Sequence, residues 1–263
     1  SGTITFVSKD GLSEVSLGGH VLGTVEAVLE TTAQGELKGY YTHDPITGAG
    51  TIYYTYTLLD NTLVDPDSVS FAVVVKDLDG DLAPAGSLVI NIVDDAPTAV
   101  ADTGTVTSGS YAAITGDVRG NDTQGADGAV VAGVAKGATN ADLDDASTVA
   151  AAVQGTYGKL TVQADGTYTY QRDAGTAGGD TDVFTYTLKD GDGDLVHTTL
   201  TITIDDFVPP APVIPAAGGA TTTVYEAALG VRPGEPAGSN TAATTETTSG
   251  TITFVSKDSQ SEM

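Results

Sequence analysis

The sequence predicts an all-β chain, folded as β-sandwiches in series, and three observations predict it. Thr- and Val-rich runs alternate with period two between turn residues. One acid-rich turn occurs twice in matching surroundings. Ten residues from the start of the chain return unchanged near its end.

The alternation is clearest in Ile4-Thr-Phe6, Tyr54-Thr-Tyr-Thr-Leu58 and Leu200-Thr-Ile-Thr-Ile204. Successive side chains of a strand point to opposite faces, so the apolar set packs inward while Thr meets water. Asp165-Gly166 between Leu160-Thr-Val162 and Tyr168-Thr-Tyr170 reads as a hairpin, because Gly supplies the positive φ of a tight turn. The 33 Gly and 10 Pro scattered among such runs fit many short strands joined by turns. Only 141–153 has room for a helix, and its Asp and β-branched residues weaken that reading.

Repeats set the domain organisation. Ser1-Gly-Thr-Ile-Thr-Phe-Val-Ser-Lys-Asp10 recurs as Ser249 to Asp258, an offset of 249 − 1 = 248 residues. That identity points to a tandem array. Within one period, Phe71-Ala-Val-Val-Val-Lys-Asp-Leu-Asp-Gly-Asp-Leu82 aligns without gaps on Phe184-Thr-Tyr-Thr-Leu-Lys-Asp-Gly-Asp-Gly-Asp-Leu195, with seven of twelve positions identical. Each copy leads into an apolar strand, a double Asp and then Pro. Two related sandwiches follow, one over residues 1–97 and one over 98–208, with 209–263 as a Pro-rich linker and the beginning of a further repeat. Pro209 to Pro215 is a stiff, extended spacer, since Pro fixes φ and disfavours helix beside it. Val224-Tyr-Glu-Ala-Ala-Leu229 reads as the opening strand of that repeat. The first sandwich then lacks its own opening strand and the tail carries an unpartnered one, which predicts head-to-tail self-association through residues 216–263.

Composition excludes several function classes. Thirty-five acids against ten bases give a net charge of −25, and no basic stripe exists to neutralise phosphates, so nucleic acid is no partner. No apolar run approaches the length of a membrane span, so no membrane insertion is expected. The absence of Cys removes thiol catalysis, zinc–thiolate sites and disulfide staples. The chain starts at Ser1 and its one Met is the last residue, which reads as a segment of something longer.

The acids gather at turns. Asp77-x-Asp79-Gly-Asp81 and Asp190-x-Asp192-Gly-Asp194 each put three carboxylates within five residues. Calcium takes six to eight oxygens, and a turn with a flexible Gly aims several side chains at one point. An EF-hand does not fit, because Leu82 and Leu195 stand where its Gly belongs, and Leu88 and Thr201 where its Glu belongs. Further ligands must come from distant sequence: Asp94, Asp95, Asp205 and Asp206 beside the linkers, with Asp102 and Glu226 across the junctions. Asp-Gly pairs also form ordinary solvated turns. Duplication with equal spacing, followed each time by a double Asp, favours a bound cation, since like charges so close need a counter-ion. Asn121-Asp122 with Asp117 reads as a turn.

Catalysis finds no support. A glycosidase needs two carboxyls of distinct environment in a cleft. Here the acids crowd at turns, and no aromatic platform for sugar stands beside them. His20, His43 and His197 are isolated, and the pairs Tyr40-Tyr41 and Tyr53-Tyr54 read as strand residues.

Three stretches carry a resemblance: 115–128, with Asn121-Asp-Thr-Gln-Gly-Ala-Asp-Gly128; Gly155 to Tyr170; and Phe184 to Asp194. Residues 102–206 resemble the cadherin-like VCBS repeat of giant type I-secreted RTX adhesins. Residues 1–97 are similar to a companion repeat of those proteins, through Gly50-Thr-Ile-Tyr-Tyr-Thr-Tyr-Thr-Leu58 and Asp94-Asp-Ala-Pro97. The resemblance implies immunoglobulin- or cadherin-like sandwiches in an elongated array, with calcium at the domain junctions and neighbouring repeats as partners. It also implies export by a type I system to the extracellular bacterial surface, and a non-catalytic spacer role in adhesion and biofilm formation. The Gly-rich nonapeptide repeats of RTX proteins are absent; Gly178-Gly-Asp-Thr-Asp182 only echoes them. The alternative is a carbohydrate- or surface-ligand-binding module acting through a loop at 31–45 or 142–154. Array repetition favours the spacer.

Overall fold

A computed structural model of the chain describes residues 1–63, 67–243 and 245–257. Among the described residues sixteen strands form four four-stranded sheets. The first eight are β1 (Gly2–Val7), β2 (Glu14–Leu17), β3 (His20–Val21), β4 (Ala27–Thr31), β5 (Gly35–His43), β6 (Ala49–Leu58), β7 (Asp67–Lys76) and β8 (Gly86–Ile92). They pair as β1-β6-β5-β4 and β3-β2-β7-β8. The second eight are β9 (Asp102–Val106), β10 (Ile114–Asp117), β11 (Ala129–Lys136), β12 (Val153–Gln154), β13 (Gly158–Val162), β14 (Thr167–Arg172), β15 (Asp180–Asp190) and β16 (Leu195–Ile204). These pair as β10-β14-β13-β12 and β11-β15-β16-β9. Each set is a sandwich around its own apolar cluster.

The period-two pattern places the cores. In β14, Tyr168, Tyr170 and Arg172 are buried while Thr167, Thr169 and Gln171 are exposed. The Asp165-Gly166 turn joins β13 to β14, with Gly166 at φ 91° and the Thr167 amide donating to Asp165 Oδ1 at 2.9 Å. β15 departs from alternation: Thr185 and Thr187 are fully buried as well as Phe184, Tyr186 and Leu188. The segment after β11 covers its outer face, and the hydroxyls accept from the Thr139 and Leu143 amides at 2.9 and 2.8 Å. Each buried hydroxyl therefore has a partner, as burial requires.

Among the described residues all strand pairs are antiparallel except β9 on β16, which run parallel from Asp102↔Leu200 to Val106↔Ile204. Pairing aligns the sandwiches strand by strand. β1, β2, β7 and β8 of the first occupy the places of β10, β11, β15 and β16 of the second. The first has no counterpart of β9 among the described residues.

Three local expectations are corrected. Residues 141–153 form no helix but a single 3-10 turn at Ala146–Thr148, because Asp145 Oδ1 accepts the Ser147 amide and the Thr148 hydroxyl donates back to the Asp145 carbonyl. Residues 31–45 are mostly β5, a paired strand rather than an exposed loop. Val224–Leu229 is not a strand: Glu226–Ala228 is a 3-10 turn and Ala228 is buried. The Ala228 amide donates to the Tyr225 carbonyl and the Leu229 amide to that of Glu226, while the Tyr225 amide donates to the Thr245 carbonyl at 2.9 Å, so the backbone is satisfied without a sheet. No helix among the described residues is long and apolar enough to cross a membrane.

Candidate metal centre

The two acid turns share one backbone geometry. In the second, Asp190 Oδ1 accepts the Gly193 and Asp194 amides at 3.0 and 2.7 Å, and the Asp190 amide donates to the Asp194 carbonyl at 3.2 Å. In the first, Asp77 Oδ1 accepts the Gly80 and Asp81 amides at 3.1 and 2.8 Å, and its amide donates to the Asp81 carbonyl at 3.1 Å. Gly193 and Gly80 sit at φ 116° and 102°, conformations that a side chain would strain. The sequence Asp-x-Asp-Gly-Asp thus builds the same loop twice and turns three carboxylates to one side.

Their surroundings differ. Asp77, Asp79 and Asp81 form a group by themselves, with Asp79 and Asp81 exposed. At the second turn Asp94 joins Asp190, Asp192 and Asp194, with one oxygen from each lying within 4.8 Å of the others. Oxygens bound at about 2.3–2.6 Å from a shared calcium ion lie no farther apart than about 5 Å. Asp190 is 7% exposed. Oδ2 of Asp94, Oδ2 of Asp190 and both oxygens of Asp192 are shielded from solvent and receive no hydrogen bond. Asp127 adds another such oxygen, and its carboxylate packs so close to Gly191 that a Cβ there would lie 2.7 Å from it. Five buried carboxylate oxygens without donors are a large cost unless a cation offsets it.

The electrostatics agree. A hydrogen bond between a protonated Asp192 and the Asp190 carboxylate, then burial, then the charges of Asp190, Asp94 and Asp127, push the Asp192 carboxyl up to about 6. At the first turn, hydrogen bonding with Asp77 raises Asp79, and Asp77 itself is lowered by the same bond and by backbone amides.

Topology explains which acids meet. β9 runs parallel to β16, so the chain upstream of Asp102 heads back toward Leu195, and Asp94 arrives at the turn that precedes β16. The Thr98↔Thr123 bridge and the Val100 amide on Asp122 Oδ1 (2.7 Å) pin this segment down. Asp95 exposes its side chain and packs its carbonyl against Gly125. Asp205 and Asp206 follow Ile204, nine residues beyond Leu195, so they lie about 30 Å from the acid turn, at the other pole of the sandwich. There Ser108 donates to the Asp206 carbonyl at 2.7 Å. Asp102 stands opposite Leu200, midway along β16, and accepts from the fully buried Tyr186 hydroxyl at 2.8 Å. Burial raises its carboxyl, which Tyr186 counteracts. Its place is a lock between β9 and β15. Glu226 lies in the tail's 3-10 turn, outside both acid groups. Asp127 was not among the sequence candidates, and the Asp127-Gly128 pair ahead of β11 was its only signal.

Comparison with known proteins bears on this sandwich. The family model described as "Bacterial cadherin-like domain" matches residues 94–206, from Asp94 to the double Asp after β16. These residues are similar to that domain over the whole of the second sandwich. No curated protein matches the sequence. Among solved structures, the human desmocollin-1 ectodomain is similar at 14% identity and TM-score 0.28, over 72% of this chain and 36% of that one. A protocadherin gammaB7 EC3-6 cis-dimer structure is similar at 14% identity and TM-score 0.33, over 85% and 54%. An endo-fucoidan hydrolase of glycoside hydrolase family 107 is similar at 14% identity and TM-score 0.26, over 76% and 30%. The chain spans about a third or less of the first hydrolase and desmocollin chains.

Proposed function

We propose that this chain is a calcium-stiffened, non-catalytic spacer segment of an extracellular bacterial adhesin of the RTX type, exported by type I secretion and serving adhesion and biofilm formation. Residues 1–97 and 98–208 are successive repeats, and 209–263 leads into the next. The observation that carries the reading is the set of five shielded, donorless carboxylate oxygens of Asp94, Asp127, Asp190 and Asp192, with Asp194 grouped beside three of those residues. Hard, anionic oxygen donors suit calcium. Asp94 is two residues beyond the end of β8 and Asp190 closes β15, so an ion held by both fastens the linker from the first sandwich onto the second. Asp77, Asp79 and Asp81 form a weaker, more exposed site of the same type. The resemblance to extender repeats and the 248-residue repetition support the array and the cell-surface setting.

The acids do not compose a glycosidase pair. Their oxygens lie within 4.8 Å of one another in a buried turn, and one water-accessible acid facing one base is not what that geometry offers. Calcium titration by calorimetry, with melting curves in calcium and in EDTA, tests the reading. Tight binding lost in Asp190→Asn, with a large calcium-dependent rise in Tm, is the expected result. Superimposable melting curves in the two buffers would overturn it.

A further inference from the structure

At one position the two sandwiches fill the same space differently. Strand register matches Thr32-Ala-Gln-Gly35 and Tyr56 of the first to Gly155-Thr-Tyr-Gly158 and Tyr170 of the second, and Val69 of β7 to Asp182 of β15. Both turns close with the same backbone bond, from the Thr32 amide to the Gly35 carbonyl at 2.9 Å and from Gly155 to Gly158 at 2.7 Å. Each tyrosine lies across the last glycine of its turn, where a Cβ would collide with the hydroxyl. In the second sandwich the buried Asp182 carboxylate accepts the Thr156 and Tyr157 amides at 2.6 and 2.9 Å and the Tyr170 hydroxyl at 2.7 Å. Val69 offers no such oxygen. Among the described residues nothing accepts from the Ala33 and Gln34 amides or from the Tyr56 hydroxyl. A cavity of about 590 Å3 opens there, lined by Gln34 and Tyr56, by the apolar Leu37, Val69 and Phe71, and by the exposed Glu30. None of its lining residues belongs to β1 or β8, so it is independent of what lies along their edges.

We propose that this cavity of the first sandwich binds a neutral carbohydrate, with a sugar oxygen in the place that the Asp182 carboxylate holds in the second. Three donors, two of them backbone amides of one short turn, converge where an acceptor is missing. A free carboxylate does not suit the site. It would meet Glu30, which stands where the second sandwich has Val153, and Asp67, held by the Gln34 side chain at 2.7 Å, in a chain of −25. A sugar hydroxyl both accepts and donates, so one can take the free amides and Tyr56 while another donates to Glu30. The apolar face of the sugar then covers Leu37, Val69 and Phe71. The Tyr56 and Phe71 rings stand 5.8 Å apart at 48°, an angled wall rather than a closed stack. Apolar lining with a few placed polar groups, at this volume, is the ordinary make-up of a small-molecule site. The cavity lies toward the Asp67 end of β7, away from the acid turn that follows Lys76, and its binding needs no metal there.

Amide NMR of the full chain tests the proposal, with titration of glucose, galactose and N-acetylglucosamine to high millimolar concentration and of sodium acetate in parallel. At least one sugar should shift the Ala33 and Gln34 amides saturably, in calcium and in EDTA alike. Tyr56→Phe removes a hydroxyl that has no partner in the chain, so it should weaken binding by about tenfold, the loss of one hydrogen bond, at unchanged Tm. Val69→Asp puts the acceptor of the second sandwich into the cavity and should abolish binding. Glu30→Ala should weaken it. Three results would each overturn the proposal. The first is the absence of a saturable shift with every sugar. The second is acetate acting on those amides at lower concentration than any sugar, which means an anion site. The third is tighter binding in Glu30→Ala, which means that the chain's own Glu30 fills the place. Should Val69→Asp fail to fold, Tyr56→Phe decides alone, and unchanged affinity there overturns the proposal as well.

Discussion

Asp77–Asp81 and Asp190–Asp194 are the same turn in different company. Both close a hairpin between the two long strands of a sheet, with one Asp gathering two amides and a glycine in the left-handed region. Only the second receives Asp94, buries Asp190 and leaves oxygens of Asp94, Asp190 and Asp192 without donors. Asp94 belongs to the segment that continues into β9, and β9 has no counterpart in the first sandwich among the described residues. One upstream segment therefore completes both the acid site and the core. The turn motif presents oxygens, and the neighbouring chain decides whether they form a cage. The cores record the same difference: fifteen buried residues cluster in the second sandwich and seven in the first, where eleven partly buried ones, Ile4 and Phe6 among them, pack around those seven.

The contrast is sharpest under chelation. Removing calcium should lower the melting transition of residues 94–206 by many degrees and leave that of the first sandwich nearly in place. A ligand at a thousandfold excess over its Kd contributes about 4 kcal/mol, read by differential calorimetry as separation or merging of two transitions. Core truncations come next. Ile202→Ala should cost about 3 kcal/mol in denaturant unfolding, whereas Ile90→Ala, at a half-buried position of β8, should cost about 1 kcal/mol. Equal losses would mean that β8 is covered in solution. Ligand neutralisation should follow the same asymmetry: Asp192→Asn should abolish the tightest calcium binding seen by titration, and Asp79→Asn should leave it unchanged.

The smallest effect is that of pH. In EDTA the Asp192 carboxyl stands at about 6 in the folded chain, above the usual carboxylate value. The folded state then binds the extra proton, so its contribution is present at low pH and is lost as pH rises through about 6. Without metal, residues 94–206 should become more stable between pH 7 and about pH 5. With calcium the trend reverses, because protonation competes with the ion for the same oxygens. Melting series in the two buffers should cross.

Much of this was legible in the residues. Period-two alternation located β1, β6, β13, β14 and β16, and Asp165-Gly166 located a hairpin, because strand pleat and turn φ are local properties. Asp-x-Asp-Gly-Asp announced its turn for the same reason. The membership of the acid group was less legible. Asp205 and Asp206 look equivalent to Asp94 and Asp95, yet one pair ends β16 at the pole away from its own turn, while Asp94 reaches the turn of the following sandwich. Asp127 was missed because only the fold brings the chain before β11 against Gly191.

The repeated decapeptide separates the two kinds of information. Ser1 to Asp10 and Ser249 to Asp258 are identical, so every local propensity is shared. Gly2–Val7 is β1, paired residue for residue from Gly2↔Tyr54 to Val7↔Ala49. In the second copy, whose last residue lies outside those described, the only pairing is an isolated bridge from Thr253 to Val213. The sequence by itself determined composition, period, turn chemistry and the count of carboxylates at each turn. Tertiary structure alone decided which copy is paired as a strand here and which turn gained a fourth acid. A strand satisfies its backbone and buries its apolar face only against a partner, and the partner lies far away in sequence.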